Sequence, residues 1–347
     1  MTFSQEKLDA IELHFILCTE RTGSSLLSLM LNLHPDILSP SEEPFALYFW
    51  SKYKNKTHWE EKDILDYVDT FFLMAEKNTD LYFSKKKVFL QNLLNHKHIL
   101  NFNRLIKLTY LHFLDVKDKS SISHIVDKQI KYFFHIPELR KLFPEASFIV
   151  LVRDVRDNIV SKQNRKMYGR SNPLFLSYLW RDTYRNSKHL ADDYLVIKYE
   201  NFVRQPHVEL QKICQHLKID FQEKMLETEG VFVSFLEQKE KDVDPAFMNH
   251  LKNFHSGLIL KPSEFKIGQY KQLELPVIHK INSICANELR LFGYEDTVEI
   301  KAPNRFKQIY YFILAKCYRE WLLKIYRRIP LSIKQMIKKW KRKSNKP

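Results

Sequence analysis

The chain has 347 residues, of which 44% are hydrophobic and 14% aromatic, enough for one large folded domain or two small ones. Its four cysteines have neither C-x-x-C nor metal-ligand spacing, which disfavours a disulfide framework and a zinc site. The acidic start of the sequence and the absence of an apolar run of about 18 residues disfavour a signal peptide and a membrane-spanning helix. We therefore expect a folded, cytoplasmic protein.

The net charge of +15 is concentrated at one end of the chain. Residues 301–347 contain 15 Lys and Arg and a single acid, Glu320, so this stretch holds +14 of the net charge, and residues 1–300 hold +1. The basicity thus belongs to a tail and gives no support to a nucleic-acid-binding domain. We predict a domain over residues 1–300 and a basic, helical C-terminal extension over residues 301–347.

The first predicted strand, turn and helix lie in "FILCTERTGSSLLSLMLNLHP", residues 15–35. Its first four residues form an apolar run typical of a buried parallel strand, and Ser24 or Ser25 can begin an apolar-periodic helix. The turn between them brings backbone N–H groups and the positive end of the helix dipole to one point, which predicts an anion site. Because Gly23 is followed by serine instead of lysine, an ATPase or GTPase loop is disfavoured.

Farther along the chain, "HPDILSPSEEPF" is predicted to be a loop, and residues 59–117 are mostly helical in pattern. Three more apolar strands follow, each leading into a helix: "HIVDK" (124–128), "SFIVLV" (147–152) and "YLVIKYE" (194–200). Apolar strands that alternate with helices predict an α/β fold of three layers, with a mostly parallel sheet covered on both faces.

In such a sheet, ligands bind at the carboxyl ends of the strands. Arg153 follows the third strand, and Ser161 and Arg165 lie at i and i+4 on the next helix, so the three can converge on one phosphate. The alternative is that "RDVRD" (153–157) is a solvated helix start with ion pairs. The other strand ends carry the "TERTGSS" loop, Asp127 with Lys128, and Tyr199 with Glu200.

Several of these motifs, in this order, resemble the sulfotransferase family over roughly residues 13–295. "TERTGSSLLSLMLNLHP" is similar to its 5′-phosphosulfate loop, and "FPEASFIVLVRDVRDNIVSKQNR" to its 3′-phosphate motif. "LVIKYENFVRQPHVELQKICQHLKIDF" and "KIGQYKQLELPVIHKINSICANELRLFGYE" are similar to its later segments. The resemblance implies a P-loop-like fold that transfers a sulfuryl group from 3′-phosphoadenosine-5′-phosphosulfate (PAPS) to a hydroxyl, without a metal. The product would be adenosine 3′,5′-bisphosphate. A single phosphosulfate, unlike a magnesium-bound triphosphate, does not require the missing lysine.

The resemblance also implies roles for individual residues. Arg21 matches an arginine on the bridging and sulfuryl oxygens, and Lys128 a second catalytic cation, although "DKQI" lacks the proline usual after that lysine. The implied donor-binding residues are Thr22, Gly23, Ser24 and Ser25 at the 5′-phosphate, Arg153, Ser161 and Arg165 at the 3′-phosphate, and Tyr199 at the nucleotide. Lys261, Ser263 and Lys266 are open candidates in a loop that closes over the donor.

A general base is implied shortly after the His-Pro pair, where "SEEPF" offers two adjacent glutamates. Consecutive residues of an extended loop point to opposite sides, so one of them faces the donor. We favour Glu43, because it precedes a proline as in the family, and keep Glu42 as the alternative. Both are solvated loop acids in a third interpretation.

Two other functions stay open beside sulfuryl transfer: a nucleotide kinase of related P-loop fold and a catalytically silent nucleotide-binding module. The absent lysine and metal motif count against the kinase. The acceptor class is left open among glycans, lipid-linked saccharides and small phenolic molecules, and so is the oligomeric state.

The end of the tail carries an amphipathic pattern. Ile333, Met336, Ile337 and Trp340 fall at i, i+3, i+4 and i+7, and lysines 334, 338, 339 and 341 surround them. Such a basic helix with an interfacial tryptophan is typical of a segment lying on an anionic membrane surface. We predict peripheral membrane attachment and no nucleic-acid partner, because the apolar residues align on one face. The alternative is a helix packed on the domain.

Overall fold

The computed structural model describes residues 3–40, 49–50, 52–74, 83–113, 121–130, 132–165, 172–190, 193–239, 264–294, 305–317, 329–330 and 332–337. Its centre is an all-parallel, five-stranded sheet in the order β2-β3-β1-β4-β5. The strands are β1 (Glu12–Leu17), β2 (Ile37–Leu38), β3 (His124–Gln129), β4 (Phe148–Val152) and β5 (Tyr194–Lys198). The predicted α/β fold with a parallel sheet is confirmed.

The central strands form where the sequence is apolar because they are covered on both faces. Every residue of β3 and β4 is buried, and β1 pairs with both of them. In that register Ile16 of β1 lies opposite Lys128 of β3 and Ile149 of β4. The prediction that residues 34–45 are all loop was wrong at Ile37–Leu38, which pairs with β3 as the edge strand β2.

Helices cover both faces of the sheet. Each face of the sheet carries one buried cluster. Successive side chains of a strand point to opposite faces, so Phe15 lies in the larger cluster and Ile16 in the smaller. The smaller cluster is covered by α2, α9 and α10, and the larger by most of the other helices. The helices are α1 (Gln5–Ala10), α2 (Ser24–Asn32), α3 (Glu61–Met74), α4 (Lys86–Asn95), α5 (Phe102–Tyr110), α6 (Ile136–Leu142), α7 (Val155–Asn164), α8 (Pro173–Tyr184), α9 (Tyr199–Arg204), α10 (Pro206–His216), α11 (Val231–Lys239), α12 (Leu275–Leu291) and α13 (Arg305–Lys316).

The described part of the basic tail is helical and touches the domain at two places. Helix α13 packs on α8, and a second helical turn at residues 332–337 reaches α3, where the Gln335 amide donates to the Thr70 hydroxyl. Trp340 and the lysines at 338, 339 and 341 lie outside the described residues. Within the described ranges, the helices lack the length and apolar character needed to cross a bilayer.

Candidate active site

The loop between β1 and α2 makes a tight turn at the carboxyl edge of the sheet. Arg21 and Gly23 both have left-handed backbone conformations, with φ of 66° and 87°, and Gly23 caps α2 so that the helix begins at Ser24. The Thr22 hydroxyl donates to the Thr19 carbonyl at 2.8 Å and so closes the turn. Its proton is therefore used inside the loop. Ser24 and Ser25 are the first two residues of α2, where the N–H groups of a helix lack intrahelical acceptors.

Tyr199 packs directly on this turn. A Cβ atom at Gly23 would lie 2.6 and 2.8 Å from two carbon atoms of the Tyr199 ring, so the ring requires a glycine there. The guanidinium carbon of Arg153 lies 4.5 Å from the centroid of the same ring. The structure thus brings together three predicted site residues from the ends of β1, β4 and β5.

Arg153 is 3% exposed and connects two segments of the site. Its Nη1 donates to the Arg21 carbonyl at 3.2 Å, and its Nη2 donates to the Lys266 carbonyl at 2.6 Å. Its Nε is buried and has no hydrogen-bond partner among the described residues. A buried donor left unsatisfied is costly, which makes this N–H a candidate ligand contact.

The surroundings of Arg153 are strongly cationic. Arg21 donates from Nε to the Ser161 hydroxyl at 3.2 Å, which joins the β1–α2 loop to α7. Burial, then the positive charges of Arg165 and Arg153, hold the pKa of Arg21 below its ordinary value. Burial, then Arg21, Arg153 and Arg165, lower the pKa of Lys266 as well. Mutual repulsion of several fixed cations in a partly buried pocket favours binding of an anion.

Residues 264–272, which we call the closing segment, are held against α7. Asp157 accepts hydrogen bonds from the Gly268 and Tyr270 N–H groups at 2.7 and 2.9 Å, and burial raises its pKa. The guanidinium of Arg156 lies 4.3 Å from the centroid of the Tyr270 ring. Of the three candidates left open in this loop, the structure describes Lys266 and places it at the cation cluster; Lys261 and Ser263 lie outside the described residues.

The alternative of a solvated helix start at residues 153–157 is wrong, because its four charged residues are all buried. Asp154 caps α7 by accepting from the Arg156 N–H at 2.8 Å and forms an ion pair with the Arg156 guanidinium. The Asp154 N–H in turn donates to Glu200 at 3.0 Å, and the Tyr294 hydroxyl donates to the same carboxylate at 2.5 Å. Glu200 therefore has a structural role, and burial raises its pKa.

Lys128 is the penultimate residue of β3 and is 4% exposed. It lies on the same face as Val126, and therefore on the α2 side of the sheet. Its neighbour Asp127 points to the other face, where it accepts from the Tyr110 and Tyr132 hydroxyls and from the Gln129 amide. Burial raises the pKa of Asp127 to about 6. β3 ends at Gln129, one residue before the position at which the resemblance leads us to expect a proline.

The two candidate bases, Glu42 and Glu43, fall on residues outside the described ranges and stay predictions.

A second polar cluster lies at the opposite, amino-terminal edge of the sheet. Glu12, His14 and His124 hold potential ligand atoms within 4.8 Å of one another. The Ser147 N–H donates to His14 Nδ1 at 3.2 Å, so His14 carries its proton on Nε2 and donates to His124 Nδ1 at 3.1 Å. Burial lowers the pKa of His14 to about 3, which keeps the ring neutral. Hydrogen bonds within the fold account for the two histidines of this cluster.

Comparisons with known proteins give the family and the fold of this chain. The family model described as "Sulfotransferase family" matches residues 14–223, more than half of the chain. The sulfotransferase domain of the Synechococcus PCC 7002 olefin synthase is 21% identical, with a TM-score of 0.51 over 82% of this chain and 96% of that domain. The sulfotransferase domain of the curacin biosynthetic pathway is 20% identical, with a TM-score of 0.51 over 82% of this chain and 98% of that domain. At this identity, the two structures show the fold.

Two nematode proteins provisionally named protein-tyrosine sulfotransferases match a shorter region. The relatives from Caenorhabditis elegans and Caenorhabditis briggsae are 26% and 25% identical over 99 residues, which is 26% of this chain in both cases. The chain spans 38% and 35% of their lengths. The family model matches more than half of the chain, and the fold is shared with sulfotransferase domains. The chain belongs to the sulfotransferase family.

Proposed function

We propose that the protein transfers a sulfuryl group from PAPS to a hydroxyl of an acceptor and releases adenosine 3′,5′-bisphosphate. The observation that carries this proposal is the cation cluster of Arg21, Arg153, Arg165 and Lys266, in which Arg153 donates to the Arg21 and Lys266 carbonyls and Arg21 donates to Ser161. Burial, and then the neighbouring positive charges, lower the pKa values of Arg21 and Lys266. A donor with a 3′-phosphate and a 5′-phosphosulfate supplies the anionic groups that such a cluster favours.

The 3′-phosphate end of the donor would lie against α7. Arg153 offers its buried Nε, and Ser161 and Arg165 follow on α7 and at its carboxyl end. The nucleotide would lie near Tyr199, with Lys266 and the closing segment beside it. Because Asp157 fixes two N–H groups of that segment, it serves as a positioning residue for the pocket.

At the reacting end, the start of α2 provides N–H groups and the hydroxyls of Ser24 and Ser25 for the 5′-phosphate. Sulfuryl transfer, like phosphoryl transfer, mainly requires in-line positioning and stabilisation of the charge that moves onto the leaving phosphate. We assign that stabilisation to Arg21 and Lys128, with no metal. Since Arg21 also donates to Ser161, it contributes to bisphosphate affinity as well as to turnover.

The acceptor hydroxyl has to lose its proton, and we assign the general base to Glu43, with Glu42 as the alternative. Glycans, lipid-linked saccharides and phenols all present such a hydroxyl. The names of the two nematode relatives favour a phenolic acceptor. Those relatives match this chain over 99 residues, which is too little to select an acceptor class.

The reaction is tested with radiolabelled PAPS and a panel containing a glycan, a lipid-linked saccharide and a tyrosine peptide, in EDTA. We expect label on at least one acceptor, lost in Arg21→Ala and Lys128→Ala. Arg104→Ala is the matched control, because that arginine pairs with Asp9 on α1, away from the cluster. Magnesium-dependent turnover of ATP instead would establish the kinase, and tight bisphosphate binding without transfer to any acceptor would favour the silent module.

We also propose a cytoplasmic protein that attaches peripherally to a membrane through residues 332–340. Ile333, Met336 and Ile337 are 42%, 64% and 37% exposed, while Gln335 makes the contact with α3. The three described residues of the apolar face therefore point away from the domain, which supports the membrane interpretation over the packed-helix alternative. Cysteines 18, 214, 285 and 317, each within the described ranges, form no disulfide, which supports a reducing compartment.

A further inference from the structure

Helix α13 exposes an apolar stripe to solvent. Phe306, Ile309, Tyr310 and Ile313 are 83%, 54%, 59% and 53% exposed. Their spacing of i, i+3, i+4 and i+7 puts all four on one side of the helix. A surface helix of a globular domain normally turns such a stripe toward the core, and α13 does the opposite.

The orientation of α13 is fixed by contacts on its other side. The Tyr311 hydroxyl accepts from the Asn172 amide at 2.8 Å, and the Phe312 ring packs edge-on against Tyr178 at 5.8 Å between centroids. Ala315 is fully buried. Rotating the helix to bury the stripe would break both contacts and expose Ala315, so the stripe is a stable surface feature of the fold.

A groove of about 500 Å³ adjoins the stripe and widens it. Phe306 and Tyr310 form one wall of this groove, and Val277 and Lys280 of α12 contribute to the other side. The surface that results is apolar and aromatic with an ammonium group at its edge. A large exposed patch of this composition marks an interaction site.

The charge of the sequence around α13 favours an anionic partner. Residues 301–347 contain 15 Lys and Arg and one acid, and Lys316 is exposed at the end of α13. Apolar and aromatic side chains that enter the headgroup layer, with cations close by, suit an anionic bilayer. A nucleic acid would use the cations but has no need for a stripe of isoleucines.

We propose that the outer face of α13, with the groove beside it, is a membrane-docking surface for anionic lipid bilayers. It is a part of the fold separate from residues 332–340, and two elements together give the stable anchoring that one weak element does not. It would hold the catalytic domain at the bilayer in a fixed orientation. The inference is independent of sulfuryl transfer itself.

The test is sedimentation of the full chain with vesicles of phosphatidylserine and phosphatidylcholine, compared with phosphatidylcholine alone. We expect pelleting with the anionic vesicles at low salt, and a partition constant reduced about tenfold or more in Ile309→Ser/Ile313→Ser. The matched control is Val88→Ser/Val208→Ser, which removes two exposed valines (56% and 40%) from α4 and α10 and should pellet like the parent.

Bisphosphate affinity and the unfolding temperature, measured in the same variants, should be unchanged, because both isoleucines are more than half exposed and neither belongs to the cation cluster. A failure to pellet with intact bisphosphate binding would refute the docking surface and leave the proposed enzyme function standing. Equal pelleting of the stripe variant and the parent would also refute it. So would a concentration-dependent dimer abolished by the stripe variant, since the occupant would then be a second copy of the chain.

Discussion

Gly23→Ala tests the close contact between Gly23 and the Tyr199 ring, which shapes the turn between β1 and α2. The change has two costs: alanine must adopt the left-handed φ of 87°, and its Cβ must displace the Tyr199 ring from 2.6 Å. The first costs about 1–2 kcal/mol, and the second, an overpacking, about 1–3 kcal/mol. We therefore expect the free energy of unfolding to fall by about 2–5 kcal/mol. Bisphosphate affinity should also fall, because Tyr199 supports Arg153.

Two control variants separate these costs. Gly230 has a φ of 73° but nothing within 4 Å of its Cβ position, so Gly230→Ala should show the backbone cost alone, about 1–2 kcal/mol. In a Tyr199→Ala background, Gly23→Ala should cost no more than Gly230→Ala does. The assay is urea unfolding with calorimetric titration of the bisphosphate. Equal stability losses for Gly23→Ala and Gly230→Ala in the parent protein would refute the assigned ring contact.

The remaining predictions concern charge. Arg153→Ala should weaken bisphosphate binding about 10- to 100-fold in titration calorimetry, while Arg21→Ala should reduce turnover by more than it reduces affinity; equal effects of both changes would contradict the assigned roles. Glu43→Gln should lower the rate with donor affinity unchanged, and a larger rate loss from Glu42→Gln would move the base to that neighbour. Burial raises the pKa of Asp127 to about 6, from an ordinary 3.8, so the folded state holds this proton more tightly than the unfolded state does. The free energy of unfolding should therefore fall by roughly 2 kcal/mol as the pH rises from about 4.5 to about 7, and Asp127→Asn should remove that fall in urea unfolding. If the variant and the parent protein had the same pH profile, the Asp127 carboxylate would already be ionised at the lower pH.

Much of the sheet was predictable from short apolar runs. β1, β3, β4 and β5 are readable because the middle strands are buried on both faces and each leads into a patterned helix. β2 was not predicted because its two residues, Ile37 and Leu38, are too few to show a repeating apolar pattern. They form a strand because they pair with β3.

The cluster at the end of β4 shows where the sequence is insufficient. Arg153 and Tyr199 could be placed near the loop, because parallel strands bring their carboxyl ends to one edge. Asp157 was assigned no site role, because its partners Gly268 and Tyr270 lie 111 and 113 residues away and no local pattern encodes that contact. The sequence signal for this role was the position of Asp157 in the first turn of α7, the helix that also carries Ser161.

The central claim is that the cation cluster binds a donor with a 3′-phosphate, and the most direct test is thermal unfolding with adenosine 3′,5′-bisphosphate or adenosine 5′-monophosphate in EDTA. The two ligands differ by the 3′-phosphate that Arg153, Ser161 and Arg165 would contact. We predict that the bisphosphate stabilises the fold by about 2.7 kcal/mol at 100 times its dissociation constant, whereas the monophosphate at the same concentration has little effect. Equal stabilisation by both ligands, none by the bisphosphate, or stabilisation that requires magnesium would contradict the account.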